Sequence, residues 1–130
     1  MRAALDAGYR MIDRATGYEN GRDVGRAVRE SGMGREEICV VSKRWPLSDA
    51  DPDKGIQFSM RELDIGYIDL YLLHWPHRDS GLRYRAWEAL LAACQKGDFH
   101  SVGVSNFMAA QLKDLIGKFP TVPARAPITI

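Results

Sequence analysis

Short apolar runs alternating with amphipathic segments predict an α/β fold, in which parallel strands are covered by the helices that connect them. Two further observations support that class. Gly and Pro fall at the joints between segments, where helices start and stop. Four of the apolar runs also end on a polar residue, and these ends recur roughly thirty residues apart, the length of one β–α unit.

Residues 1–8 (MRAALDAG) read as the last turns of a helix that ends on Gly8 and feeds a first strand, Met11 to Asp13. Helical periodicity follows in Arg22 to Ser31, with Gly32 at its end, and then a strand from Ile38 to Lys43. Pro52 behind Asp51 suits the start of a helix running to Leu63, and Gly66 separates it from a strand, Ile68 to His74. Tyr84 to Lys96 is helical and stops at Gly97; Ser101 to Ser105 is a strand, Met108 to Lys118 a helix, and Ile128 to Ile130 a last strand. A chain that opens within a helix and closes within a strand reads as incomplete at both ends.

With 45% hydrophobic and 27% charged residues the 130-residue chain is an ordinary globular domain or part of one. Lys and Arg total 18 against 17 Asp and Glu, which leaves no electrostatic footprint for nucleic acid or an anionic membrane. Cys39 and Cys94 lack the spacing of a zinc site or a redox pair, so they read as free buried thiols of a reducing compartment. No apolar run approaches the ~18 residues of a membrane span, and the N-terminus has no signal-peptide pattern. The expected location is cytoplasmic.

The strand ends carry Asp13, Lys43, His74 and the pair Ser105 and Asn106. In a parallel α/β sheet these ends share one edge, where barrels and doubly wound sheets place their chemistry. Each residue also has a plain structural reading: a hydrogen-bonded histidine, a Lys–Asp ion pair, and a helix N-cap for Ser105–Asn106. Four polar ends at one spacing argue for a site, because buried Asp, Lys and His are costly unless they pair or act. Tyr18, in the loop TGYENG behind Asp13, can fold over that edge. A phenol is a poor acid at neutral pH, and a neighbouring ammonium favours its phenolate. Lys43 supplies such a cation, Asp13 a counter-charge, and His74 a hydrogen bond to a substrate oxygen. With no metal-ligand set and no Ser-His-Asp order, protonation of a carbonyl oxygen fits these groups better than hydrolysis.

At LDAGYRMIDRATGY, VVSKRW, LDIGYIDLYLLHWP and VGVSNF the chain resembles the aldo-keto reductases, (β/α)8 TIM barrels that reduce aldehydes and ketones with NADPH or NADH. The resemblance implies a partial barrel holding about strands two to six of eight, as one incomplete domain over 1–130 that lacks the first strand and the C-terminal cofactor-binding part. It also implies roles. Tyr18 matches the proton donor, Lys43 the lysine beside it, Asp13 that lysine's carboxylate partner and His74 the substrate-orienting histidine. Ser105 and Asn106 match the pair that hydrogen-bonds the nicotinamide, and Trp45 and Trp75 stand where the family lines its substrate pocket.

The chain departs from the family pattern in lacking the first strand and the last strands with the loops that hold the dinucleotide's phosphates, which no glycine-rich loop elsewhere replaces, in Ala126-Pro127-Ile128-Thr129 near its end, and in Arg14 and Arg44 one residue beyond Asp13 and Lys43. Strand alternation turns both arginines toward the helices, with Asp23, Glu19 and Asp69 as expected partners, and with snorkelling to solvent expected ahead of an anion-binding role. The expected function is NAD(P)H-dependent carbonyl reduction on a small substrate. The alternative is a non-catalytic chain that binds a partner, or itself, through open sheet edges. A doubly wound binding domain would need a phosphate loop after a strand.

Overall fold

The computed structural model describes residues 1–44 and 51–120, together with the backbone of residues 128 and 129. Helices and strands alternate as α1 (Arg2–Asp6), β1 (Met11–Asp13), α2 (Gly21–Arg29), β2 (Cys39–Arg44), α3 (Pro52–Leu63), β3 (Ile68–Leu73), α4 (Ser80–Lys96), β4 (Phe99–Val104), α5 (Ala109–Lys118) and β5 (Ile128–Thr129). Two short 3₁₀ turns, Thr16–Tyr18 and Arg35–Glu37, were not foreshadowed by periodicity. All strand pairs are parallel and follow sequence order from β1 to β5. An order without reversal is that of a winding barrel and has no topological switch point, so the doubly wound alternative falls away.

Local chemistry explains the joints. Asp51 caps α3 by accepting from the Lys54 amide at 3.2 Å, and Pro52 occupies the first turn, where its missing N–H costs nothing. Asp79 caps α4 through the Leu82 amide at 2.8 Å, and Gly97 closes it in the left-handed region at φ 91°. Gly25 serves packing: a Cβ there would stand 1.8 Å from the Leu63 carbonyl oxygen, so its absence lets α2 lie directly on the end of α3.

The core lies between sheet and helices. Ile12, Val40, Tyr71, Leu73, Val102 and Val104 meet Val24, Ile56, Leu63, Trp87, Leu90 and Leu115, and all are buried. Removing this apolar surface from water is the main stabilising term, at about 25 cal/mol per Å². The Tyr71 hydroxyl is partnered by the Ser59 hydroxyl of α3 at 2.6 Å, which satisfies a polar tip inside the core. Cys39 is half-buried, Cys94 is buried with its thiol donating to the His100 carbonyl at 3.7 Å, and no disulfide joins them.

Toward the starts of the strands, Asp69 accepts from the Val40 amide at 2.8 Å and from Arg35 Nη2 at 2.7 Å, while the Arg35 guanidinium also lies 4.1 Å from the Tyr67 ring centre. Asp69→Asn keeps an acceptor for the amide but loses the charge facing Arg35. It is expected to lower unfolding stability by about 1 kcal/mol in urea titrations.

Arg14 and Arg44 do turn toward the helices, but neither snorkels: they are 2% and 1% exposed. α2 and α3 close over them at glycines. A Cβ on Gly21 would lie 3.1 Å from Arg14 Nη1, and one on Gly55 3.0 Å from Arg44 Nη1. Two of the three expected acidic partners are engaged elsewhere, Asp69 with Arg35 and Asp23 with Arg26. Backbone carbonyls serve instead: Arg14 Nη2 donates to Ala15 at 2.9 Å and Arg44 Nη1 to Pro52 at 2.6 Å.

Candidate functional site

Parallel winding brings the polar strand ends to one edge. Asp13 ends β1, Lys43 is the last residue but one of β2, and His74 and Ser105 come one residue after β3 and β4. The backbone ladder continues through them, with the His74 amide donating to Arg44 O at 2.9 Å and the Ser105 amide to Leu73 O at 2.8 Å. Asp13 lies beside Val41 and Lys43 beside Leu72 in the register, on the face turned away from the buried helix-side residues.

On that face the Lys43 ammonium donates to Asp13 Oδ1 and lies 3.5 Å from the Arg14 carbonyl. The Lys43 side chain is 12% exposed, so the pair is held against protein on one side and open on the other. His74 is pushed below the ordinary histidine pKa by burial first and by the Lys43 charge second, with Asp13 opposing. The imidazole is therefore held toward its neutral form at neutral pH. The Lys43 and Asp13 charges thus both act on His74 at this edge, in opposite directions.

That depression has a consequence for stability. The folded state keeps His74 neutral at pH values where the unfolded chain takes up a proton, near 6.5. Stability present at pH 7 is thus withdrawn as the pH falls through that range, until the folded state protonates as well. The loss measured by urea unfolding between about pH 7 and 5.5 is expected to be smaller in His74→Gln.

Tyr18 closes the 3₁₀ turn that follows β1 and is 55% exposed. The turn is tied to the same edge, because Thr16 Oγ1 donates to the Lys43 carbonyl at 3.1 Å. Sequence reasoning missed Thr16, since nothing in TGYENG marks one hydroxyl for a bond across the sheet. Asn106 has left-handed backbone at φ 60° and its side-chain amide donates to the His74 carbonyl at 2.8 Å and to Ser105 Oγ at 3.0 Å. The N-cap reading of Ser105–Asn106 does not hold, because α5 starts at Ala109 with Met108 before it. Trp75 is half-exposed beside His74, ring centres 6.5 Å apart. Trp45 lies outside the described residues. Among the described residues no cluster of His, Cys, Asp and Glu is arranged to hold a metal ion, and no helix is long and apolar enough to cross a membrane.

The family model of the aldo/keto reductase family matches residues 1–126. The chain belongs to that family. A methylglyoxal reductase, DkgA, from Salmonella typhimurium is 37% identical over 120 residues, covering 92% of this chain and 44% of the relative. The crystal structure of an aldo/keto reductase from Brucella melitensis superposes with a TM-score of 0.88 at 38% identity, over 99% of this chain and 51% of that one. Gox0644, crystallised as a mutant in complex with NADPH, gives a TM-score of 0.81 at 30% identity, over 92% of this chain and 44% of its own. The chain thus spans about half the length of these aldo-keto reductases, and its sheet corresponds to part of a (β/α)8 barrel.

Proposed function

We propose that this aldo-keto reductase chain carries the proton-transfer site for reducing a small aldehyde or ketone to an alcohol. One observation carries the reading: the Asp13–Lys43 ion pair and His74 share one strand-end edge, and the turn bearing Tyr18 is tied to it through Thr16. In this reading Tyr18 Oη gives its proton to the carbonyl oxygen, Lys43 favours the resulting phenolate, and Asp13 keeps the ammonium placed. His74 donates a hydrogen bond to the same substrate oxygen, and Trp75 with Trp45 borders the pocket. The methylglyoxal reductase relative supports a small carbonyl substrate.

The cofactor in this proposal is NADPH, or NADH, and the NADPH-bound relative supports the choice. When bound it supplies the hydride. The Ser105 hydroxyl and the Asn106 amide offer a donor and acceptor set that complements a nicotinamide carboxamide, and Asn106 is exposed at the edge. The phosphates find no glycine-rich loop in this sequence. The proposal includes the incomplete-barrel domain over 1–130 and a cytosolic location, which suits two cysteines outside any disulfide.

The test is NADPH consumption with methylglyoxal and with a simple aromatic aldehyde, measured in the complete polypeptide that contains these residues. Lys43→Met is expected to lower turnover strongly while the fold persists; turnover unchanged in that variant would overturn the reading. A second reading has its own observation. Among the described residues β1 pairs on one side only, with β2, and its Met11 is 63% exposed, so this edge favours self-association or a partner strand. A chain that assembles, yet shows no carbonyl-dependent NADPH consumption when complete, would favour it.

A further inference from the structure

Behind the candidate site, the segment from His74 to Asp79 is held at two carbonyls. At the edge the Asn106 side chain grips the His74 carbonyl at 2.8 Å. On the helix side Arg83 Nη1 donates to the His77 carbonyl at 2.8 Å. Arg83 projects from the first turns of α4, is 6% exposed, and turns its other terminal nitrogen, Nη2, to Asp114 Oδ2 of α5 at 2.5 Å. Asp114 is fixed in turn by the Tyr84 hydroxyl at 2.6 Å. The Tyr84 ring meets Phe119 edge-on at 5.9 Å and so anchors α5 to α4. One planar guanidinium therefore spans a loop carbonyl and a carboxylate on a different element, a geometry that a lysine ammonium cannot reproduce.

The two elements joined in this way are those that follow β3 and β4. The loop after β3 carries His74 and Trp75, and the turn after β4 carries Ser105 and Asn106 and leads into α5. We propose that Arg83 is a positioning residue: by bridging His77 to Asp114 it sets where the loop bearing Trp75 sits relative to the strand-end edge, and so helps decide which carbonyl substrates are accepted. The statement about substrates rests on the proposed reduction, whereas the statement about the loop does not.

The Tyr84 hydroxyl first, and Arg83 second, hold the Asp114 carboxyl below the usual carboxylate range, so Asp114 is ionised at neutral pH and the bridge is charge-assisted. Trp87, one turn further along α4, is 2% exposed in the core and makes a built-in control.

The experiment is fluorine NMR of the chain labelled with 5-fluorotryptophan, which gives a resonance for each of three tryptophans, assigned by Trp75→Phe, Trp45→Phe and elimination. In Arg83→Gln the Trp75 resonance is expected to shift or broaden while that of Trp87 stays in place, and Arg83→Lys is expected not to restore it. Asp114→Asn, on a more exposed side chain, is expected to move Trp75 in the same direction by less. An unmoved Trp75 resonance in these folded variants would overturn the proposal, and so would a shift of Trp87 as large as that of Trp75. In the complete enzyme Arg83→Gln is expected to raise KM for the carbonyl about tenfold, the equivalent of one charge-assisted hydrogen bond, with kcat little changed. Unchanged KM would overturn the substrate part alone. Absence of turnover in the parent enzyme would sink the proposed reduction and leave the NMR result to decide the loop.

Discussion

Tyr18→Phe is expected to lower carbonyl reduction by about a hundred to ten thousand fold, the usual worth of a positioned general acid. The substitution removes one oxygen from a side chain that is 55% exposed, so little packing is lost and the fold serves as its own control. The turn survives as well. Its bonds include the Tyr18 amide to the Ala15 carbonyl at 3.0 Å, the Glu19 amide to the Thr16 carbonyl at 3.3 Å and the Thr16 hydroxyl to Lys43, and none of these uses the phenol. The loss is therefore expected in kcat, with KM nearly unchanged, because the proton is given only as charge develops on the carbonyl oxygen. Steady-state rates with an aromatic aldehyde and saturating NADPH, in the complete polypeptide, decide it. A Tyr18→Phe enzyme as fast as its parent would move the acid elsewhere on the edge, with His74 the next group to replace.

Much of this arrangement was legible beforehand, and the reasons differ from residue to residue. α3 runs from Pro52 to Leu63 as expected, because the Asp-Pro start acts through local geometry, and Asp64 closes the helix in the left-handed region. β4 begins at Phe99, two residues before the expected Ser101. His100 is exposed, and a polar residue shortly after a glycine stop reads as loop, although the parallel ladder with β3 already holds this stretch. The strand-end residues were found because spacing alone brings them to one edge of a parallel sheet. The bonds that steady them were not, because the Thr16–Lys43, Asn106–His74 and Arg83–Asp114 bonds act over 27 to 32 residues and leave no periodic trace. Alternation gave Arg14 and Arg44 their direction, but their depth depends on Gly21 and Gly55. Those helical glycines were the available sign that something wide lies beneath.

The same two arginines give the second large effect, and they are expected to diverge. Arg14 is enclosed at 2% exposure with one hydrogen bond from Nη2, while its Nε and Nη1 have no partner among the described residues. Burial lowers its pKa, with the nearby Tyr71 and Glu62 only partly opposing, so the folded state bears a desolvation cost for this cation. An apolar side chain of similar length fills the space under Gly21 without that cost. Arg14→Met is thus expected to stabilise the chain by about 2 kcal/mol, within the range seen when buried charges give way to well-packed hydrophobes. With a urea dependence of about 2 kcal/mol per molar, that moves the unfolding midpoint up by about 1 M. Arg44 is equally buried, but its 2.6 Å bond fastens the Pro52 carbonyl at the start of α3. Arg44→Met leaves that carbonyl without its charged donor and is expected to cost about 2 kcal/mol. If both variants lose stability alike, the unpartnered nitrogens of Arg14 carry no net penalty, and its burial must be offset by packing against Gly21 and Glu62.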